Sequence, residues 1–381
     1  MVKLLFYSVL IFISGLASAQ INCRITGSIP TIENGYVKFI KGIESNQEAI
    51  LVLYQGNQFP DSIQIRNHQF TISGHIQQPG MYRLLNQENQ FITELFFVDT
   101  GKHHINIQET TNHNPFDVGW GITVSNSAAQ DAFIQYLSSL NSVNTSLLTL
   151  YDTTHCENIQ NWEAKKVCNT HFEWQRNIYR NQRDSILTDY IKRHPNASIN
   201  PWILYWNMNK MGYRAAYPKL LEEQSNLFPK AIHQVLSNFL LQLRKKTIGE
   251  SFPLLHFIEA KVPEWKHEKP LYTLIDFWYS SCSPCIGQFE LLKPIYKQYH
   301  TIGFEIIAIT TDAISTLQQY KAVLKKQNYH WKHCIDTNGK RAQSVYIKSY
   351  PSNFLINQQG KIVAVDIKPE RLEAFLKDEL L

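Results

Sequence analysis

Hydrophobic and polar positions change their period twice along the chain. From about Gln20 to Ile122 they alternate in short runs. Examples are Tyr36-Val37-Lys38-Phe39-Ile40, Ala49-Ile50-Leu51-Val52-Leu53, Gln69-Phe70-Thr71-Ile72, Tyr82-Arg83-Leu84-Leu85, Glu94-Leu95-Phe96-Phe97-Val98 and His104-Ile105-Asn106-Ile107. Asn34-Gly35, Gly56-Asn57, Pro79-Gly80 and Thr100-Gly101 punctuate these runs. A period of two broken by turn formers predicts an antiparallel β-sandwich or barrel over residues 20–124, of which the sandwich is the expectation kept. From Ser125 to about Thr247 apolar residues recur every three or four positions. That period predicts helices near Ala128–Leu150, Asn158–Arg193, Pro201–Met211 and Pro229–Leu243. The aromatics of this central helical segment, 125–247, read as an interhelical core.

Beyond residue 248 strands and helices alternate. Phe252–Ile258, Leu271–Trp278, Phe304–Ile309 and Ser352–Ile356 read as strands, with a hairpin return over Lys361–Val365 after the turn Asn357-Gln358-Gln359-Gly360. Cys282–Tyr299, Ala313–Gln327 and Pro369–Leu380 read as amphipathic helices. The order β-α-β-α-β-β-α predicts an α/β domain over 248–381, with a mixed sheet covered by helices on both faces. The fold class expected is therefore multidomain, with β, helical and α/β parts in sequence.

The first residues follow a different rule. Lys3 precedes the apolar stretch Leu4 to Leu16, and Ala17-Ser18-Ala19 has the small-x-small form of a signal-peptidase site. Residues 1–19 read as a signal peptide, with the mature chain beginning at Gln20. The apolar core is short against the ~20 residues of a membrane span, so an uncleaved anchor is the weaker reading. Gln20-Ile21-Asn22 before Cys23 lacks the small residues that lipoprotein processing needs. Export to the periplasm or cell envelope follows as the expectation, with no stable transmembrane span after cleavage.

Composition narrows the classes. Hydrophobic residues make up 44% of 381, which excludes global disorder. A net charge of +5 is dispersed, and its one cluster, Arg244-Lys245-Lys246, reads as a solvated helix end, so no nucleic-acid partner is expected. Export places the six cysteines in a disulfide-permissive setting, but six are too few to scaffold a chain of this length. Cys156 and Cys168 lie close in sequence beside His155 and His171. A structural disulfide, free thiols and a metal pair all fit, although the Cys spacing is too wide for the usual zinc pattern. Cys23 and Cys334 have no sequence partner. No metal or other cofactor is expected.

The informative stretch is Leu274-Ile275-Asp276-Phe277-Trp278-Tyr279-Ser280-Ser281-Cys282-Ser283-Pro284-Cys285. A buried strand ends at Trp278, a polar turn follows, and Pro284 sits where the first turn of a helix tolerates proline. Cys282 then lies at a helix N-terminus, where unpaired N–H groups and the macrodipole favour thiolate over thiol. A CxxC in that setting brings the first thiol from a pKa of ~8.5 to between ~3.5 and ~7.5. Cys282 is thus the candidate nucleophile. Cys285, one turn along on the same face, is the candidate resolving thiol and the other half of a redox-active disulfide.

These residues resemble the thioredoxin superfamily, and within it the exported thiol-disulfide oxidoreductases of the TlpA/ResA type, the redoxins. "DFWYSSCSPC" is similar to that family's "FWaxWCxPC", and "SYPSNFLINQQGKIV" to its "P-T-x-F-L-I-D-x-x-G-x-I". The similarity runs from about Phe252 to Leu381. Residues 20–125 more weakly resemble a β-domain of unknown function that precedes such modules. The resemblance implies a thioredoxin-like C-terminal fold and a protein-disulfide oxidoreductase. Pro351 is implied as a cis-proline shaping the substrate groove, and the backbone of Tyr350 as the element that pairs with a partner segment. Asp276 is implied as the buried acid that takes the proton from Cys285. Ser283, Pro284 and Trp278 are implied around the substrate, Trp278 packing under the active-site loop, with a purely core role as its alternative. Partners would be protein thiols and disulfides, with electrons from a membrane or periplasmic donor, and the N-terminal parts would position the module or mediate self-association into a homo-oligomer.

Departures from the pattern bear on specificity. Ser281 stands where the family carries Trp before the first Cys, which predicts a more open dithiol. The Ser283-Pro284 dipeptide leans toward a reductant. Two rivals remain at this stage. A thiol peroxidase needs a P-x-x-x-[TS]-x-x-C turn and an Arg, yet no Arg lies between Ser251 and Lys340. A binding or scaffold protein with a thioredoxin-like module would explain the long N-terminal portion, but has no need of a helix-terminal dithiol.

Overall fold

The computed structural model describes residues 21–42, 52–109, 120–146, 159, 161–253, 270–347 and 349–381. The leader over 1–19, the Ala49–Leu51 part of one predicted strand, Cys156 and residues 254–258 of another predicted strand lie outside the described residues. The chain forms two compact units. One contains the described residues up to Ser138 together with 196–202; the other contains Ser139–Pro195 and Ile203–Leu381.

The first unit is built from two four-stranded sheets. In chain order its strands are β1 (Cys23–Ser28), β2 (Gly35–Lys41), β3 (Ser62–Ile65), β4 (Gln69–Gly74), β5 (Gly80–Leu85), β6 (Phe96–Val98), β7 (Gly101–Glu109) and β8 (Trp120–Ser125). The sheets run β4-β1-β7-β8 and β3-β2-β5-β6. The expected wholly antiparallel arrangement needs one correction: β1 and β7 are parallel, with Ile25 opposite His103. Alternation sets which face is buried and carries no information on strand direction, so the pattern alone could not show this. A second correction concerns Val52 and Leu53. They lie in a helical turn and not in the predicted strand. Helix α1 (Ala128–Ser139) closes the unit, Gln130 accepting the Phe97 N–H at 2.7 Å.

The second unit begins with long helices. Asn161 caps α2 (Trp162–Arg193), its side-chain oxygen accepting the Ala164 N–H at 2.8 Å. Next come α3 (Asn200–Met211), whose first turn belongs to the other unit, α4 (Ala216–Glu223) and α5 (Lys230–Arg244). Sequence periodicity missed α4, which has only 8 residues. The α/β module follows with β9 (Tyr272–Trp278), α6 (Ser283–Tyr299), β10 (Phe304–Thr310), α7 (Leu317–Gln327), β11 (Lys332–Ile335), α8 (Lys340–Ser344), β12 (Ser352–Asn357), β13 (Ile362–Val365) and α9 (Pro369–Leu380).

The five strands are ordered β11-β10-β9-β12-β13. β9 sits in the middle, parallel to β10 and antiparallel to β12. A strand flanked on both sides and covered on both faces is mostly apolar, which accounts for the run YTLIDFW around its one acid. Leu274 and Trp278 face a cluster containing Phe289, Tyr320, Leu372 and Leu376, from α6, α7 and α9. Ile275 and Phe277 face a second cluster with Phe252, Ala342 and Phe354. The edge strand β11 is absent from the predicted order because Lys332 and His333 break its apolar pattern. At the other edge, β13 is capped by the incoming chain. Gly249 N–H donates to Ile362 O, Ile362 N–H to Glu250 O, and Phe252 N–H to Gly360 O, all at 2.8–2.9 Å.

His333 is the unusual residue of β11. Neither ring nitrogen has a hydrogen-bond partner, although both are buried. Its ring lies among Trp278, Tyr329 and Trp331, at 6.1–6.3 Å between centroids. Burial lowers its pKa from 6.5 to about 4. The unfolded chain therefore binds a proton near pH 6.5 that the folded one refuses until about 4. The contribution of neutral His333 is fully present above 6.5 and is lost as pH falls through that window, by on the order of 3 kcal/mol. A His333→Leu variant should melt progressively higher than the wild type as pH drops from 7 to 4.5. A constant difference in melting temperature across that range would refute this account.

Candidate active site

The helix that carries the dithiol starts one residue later than its predicted range. Cys282 is the N-cap of α6, with extended φ and ψ of −81° and 92°. Its Sγ accepts the Cys285 backbone N–H at 3.2 Å. Pro284 occupies the first turn, where its missing N–H costs nothing. Cys285, Phe289, Leu292, Tyr296 and Tyr299 follow at spacings of three and four and face the core. The two cysteines form a disulfide with Cα atoms 5.3 Å apart. The sulfur of Cys282 thus lies in the positive end of a helix with an amide aimed at it. Both features favour a thiolate once the bond is reduced.

Access is narrower than the sequence implies. The expectation that Ser281 opens the dithiol is corrected by Cys282, which is only 2% exposed. Two tyrosines pack nearby. Tyr279 and Tyr350 meet edge to face at 5.3 Å, and both pack against the cluster that contains the two cysteines. Ser281, Ser283 and Pro284 around the sulfur are exposed, so the cover is thin. Trp278 is not part of this surface. It is fully buried against Phe289 and Tyr320, as the core alternative for this residue has it.

Tyr350 and Pro351 are joined by a cis peptide bond. The pairing of Ser352 with Phe277 places them beside the end of β9, from which the CxxC turn departs. Sequence positions some 70 residues apart are thereby brought to one end of one sheet, because β9 and β12 are neighbours.

Asp276 lies on the Leu274 and Trp278 face of β9. It is fully buried, with Oδ2 accepting a hydrogen bond from Gln288 Nε2 at 2.7 Å and Oδ1 unpartnered. Burial pushes its carboxyl well above the usual carboxylate range. The Gln288 bond pulls it back in part, and the charge of Asp366 adds to the rise. Gln288 is on α6, so the acid is tied to the helix that carries both cysteines.

A second buried acid was not foreseen. Asp312, just after β10, accepts hydrogen bonds from the Ser280 N–H at 2.9 Å and the Ser280 hydroxyl at 2.6 Å. The hydroxyl-rich run Thr310-Thr311-Asp312 at the end of a buried strand was the available signal. The remaining thiols are dispersed. Cys23 is buried and free on β1, its thiol pushed up to about 12 by burial and then by Asp99. Cys334 is free on β11, and Cys168 on α2 is disulfide-bonded, while Cys156 lies outside the described residues. Among the described residues no cluster of three or more His, Cys, Asp or Glu could hold a metal, and no helix is long and apolar enough to cross a membrane.

A helix-capping CxxC beside a cis-proline, on a central strand of a mixed five-stranded sheet, defines a thioredoxin-like protein-disulfide oxidoreductase. The Redoxin family matches residues 261–379, and a domain of unknown function, DUF4369, matches residues 23–133. The thiol-disulfide oxidoreductase ResA of Bacillus thuringiensis subsp. konkukian is 30% identical over 139 residues, covering 35% of this chain and 79% of the relative. ResA of Bacillus subtilis is 28% identical over 125 residues, or 32% and 69% of the two chains. A solved thiol-disulfide oxidoreductase from Bacteroides fragilis is 31% identical over 29% of this chain and 83% of its own, with a TM-score of 0.27. The chain belongs to the ResA family of thiol-disulfide oxidoreductases, and it carries an additional N-terminal DUF4369 region.

Proposed function

We propose that the protein is exported to the periplasm or cell envelope and reduces disulfides of other proteins there through Cys282 and Cys285. The Cys282 thiolate attacks one sulfur of a substrate disulfide, and the other leaves as a thiolate. Cys285 then loses its proton and attacks Cys282 Sγ. The second substrate thiolate leaves, and the Cys282–Cys285 disulfide remains. Two electrons pass to the substrate, whose thiolates take up protons from water. A dithiol of a second protein restores the reduced state. Asp276 is the acceptor for the Cys285 proton, since burial raises the proton affinity of its carboxylate. Tyr350 and Pro351 present backbone to an extended substrate segment, flanked by the exposed Ser283 and Pro284. Residues 248–381 act as the redox module, while 20–124 and 125–247 position it or mediate self-association.

The observation that supports this most is the Cys285 amide directed at Cys282 Sγ at the start of α6. Its test is the pH dependence of Cys282 alkylation in the reduced protein, followed on the peptide that contains it. Half-reaction at or below neutral pH supports the enzyme. A midpoint above ~8 defeats it and favours a binding module, the reading to which the 2% exposure of Cys282 lends weight.

A further inference from the structure

Asp312 is 4% exposed, and no ion pair compensates its charge among the described residues. Burying a carboxylate in this way is costly unless its oxygens are well bonded. Here all four donors to the side chain are neutral. Oδ2 accepts the Ser280 N–H at 2.9 Å and the Thr310 hydroxyl, and Oδ1 accepts the hydroxyls of Ser280 at 2.6 Å and Thr316 at 2.9 Å. We infer that Asp312 is a positioning residue for Cys282, fixing the turn that delivers the attacking sulfur to the mouth of α6. The inference rests on the assignment of Cys282 as nucleophile.

The turn is held at each of its parts. Trp278 O, at the end of β9, accepts both the N–H and the hydroxyl of Thr311, at 2.9 and 3.2 Å. Ser280 is bound twice by Asp312. Cys282 N–H closes the turn onto Tyr279 O at 3.0 Å, after which the helix begins. The segment Thr310–Asp312 is therefore a splint laid along Trp278–Ser280. The same splint reaches the opposite wall of the site. Asp336 N–H donates to Thr310 O at 2.8 Å and Asn338 N–H to Asp312 O at 3.0 Å. At Gly339, with φ of +62°, an added Cβ would lie 3.3 Å from Thr311 and 3.7 Å from the Tyr350 hydroxyl. One buried side chain thus fixes the dithiol turn from a segment that also borders Tyr350, next to the cis-proline.

Geometry and charge make opposite predictions for this residue. A negative charge close to Cys282 disfavours its thiolate, whereas holding the sulfur on the helix axis favours it. The other titratable group facing Asp312 is Tyr320 of α7, whose phenol is pushed up to about 12 by burial, with Cys334 and Asp312 adding. Asn at 312 separates the two effects. Its oxygen can take the Ser280 N–H, and its amide can donate to the Ser280 and Thr316 hydroxyls, which accept as readily as they donate. Asp312→Asn keeps the splint without the charge, and Asp312→Ala removes both.

The test measures the apparent pKa of Cys282 by peptide-resolved alkylation of reduced wild type, Asp312→Asn and Asp312→Ala. Thermal melts run alongside. A positioning role predicts that Asp312→Ala raises the pKa by about one unit, a roughly tenfold loss of thiolate well below it, while Asp312→Asn stays at the wild-type value. Lower melting temperatures with an unmoved pKa would overturn the inference, as would an equal fall in pKa for both variants, which would mark a charge effect. An ordinary pKa in the wild type would defeat the nucleophile assignment itself. Should Asp312→Ala fail to fold, Ser280→Ala removes one of the two Ser280 bonds and should raise the pKa about threefold less in thiolate terms; no shift there would also overturn it.

Discussion

Replacement of Cys285 by Ser should trap the protein on its substrates. Cys282 keeps its place at the helix terminus, so it still attacks a disulfide. The step that releases the mixed disulfide needs a second sulfur within bonding reach, and the present one has its Cα 5.3 Å away. Steady-state reduction of a protein disulfide, such as that of insulin, should fall to background, with one equivalent of covalent adduct accumulating and dissolving on addition of free thiol. Replacement of Cys282 by Ser should abolish both turnover and adduct, since Cys285 is fully buried and cannot start the exchange. Non-reducing mass spectrometry of the reaction mixture separates these outcomes. An adduct formed by the Cys282→Ser variant would assign the attack to the wrong sulfur.

The Asp276→Asn variant should be more stable than the wild type at neutral pH and slower in catalysis. The carboxyl titrates well above its ordinary range in the folded state because burial disfavours its charge. Its folded pKa exceeds its unfolded one, so its contribution to stability is fully present below the unfolded pKa of ~3.9 and is lost as pH rises through the folded pKa. Asn occupies the same volume and can still pair with Gln288, without a charge to bury. Melting curves of the α/β module should diverge as pH rises from 4, Asn above Asp, each kcal/mol of difference appearing as ~2–4 °C. The cost falls on chemistry. With the proposed acceptor of the Cys285 proton removed, release of the mixed disulfide should slow while the first attack proceeds at its wild-type rate. Single-turnover kinetics resolve the two steps. An unchanged release rate would leave Asp276 as a structural acid only.

Much of this site can be read along the chain because its chemistry is local. CxxC, the preceding buried strand and the proline in the first turn all fall within Leu274–Cys285, and hydrogen bonding inside one segment leaves a fixed spacing. The Tyr350-Pro351 pair is legible only through family resemblance, since its place opposite the dithiol depends on β12 pairing with β9. What escaped the sequence lies between segments. Asp312 looks like an ordinary turn acid until β10 brings it beside Ser280. Sequence left Trp278 between the active-site loop and the core, and only the packing of α6 and α7 decides for the core. Ser281 suggested an open sulfur, because a missing large side chain is visible in sequence and the packing that buries Cys282 is not. The fold shows the same division. Alternation marked five of the eight strands of the first unit, β2 and β4 to β7, but not the parallel run of β1 with β7. The polar edge strand β11 carried too few apolar residues to register.

The first residues of the α/β module have a role beyond joining it to the helices. By bonding to Ile362 and Gly360, Gly249–Phe252 occupies the backbone groups that β13 would otherwise offer to a stranger. An unclaimed sheet rim of this kind templates aggregation. The stretch works as a built-in guard rail, and a fragment trimmed to begin after Phe252 would lose both that guard and an aromatic side chain of the cluster around Phe277 and Phe354. Solubility of the isolated redox module therefore depends on where the cut is made, independently of anything the cysteines do.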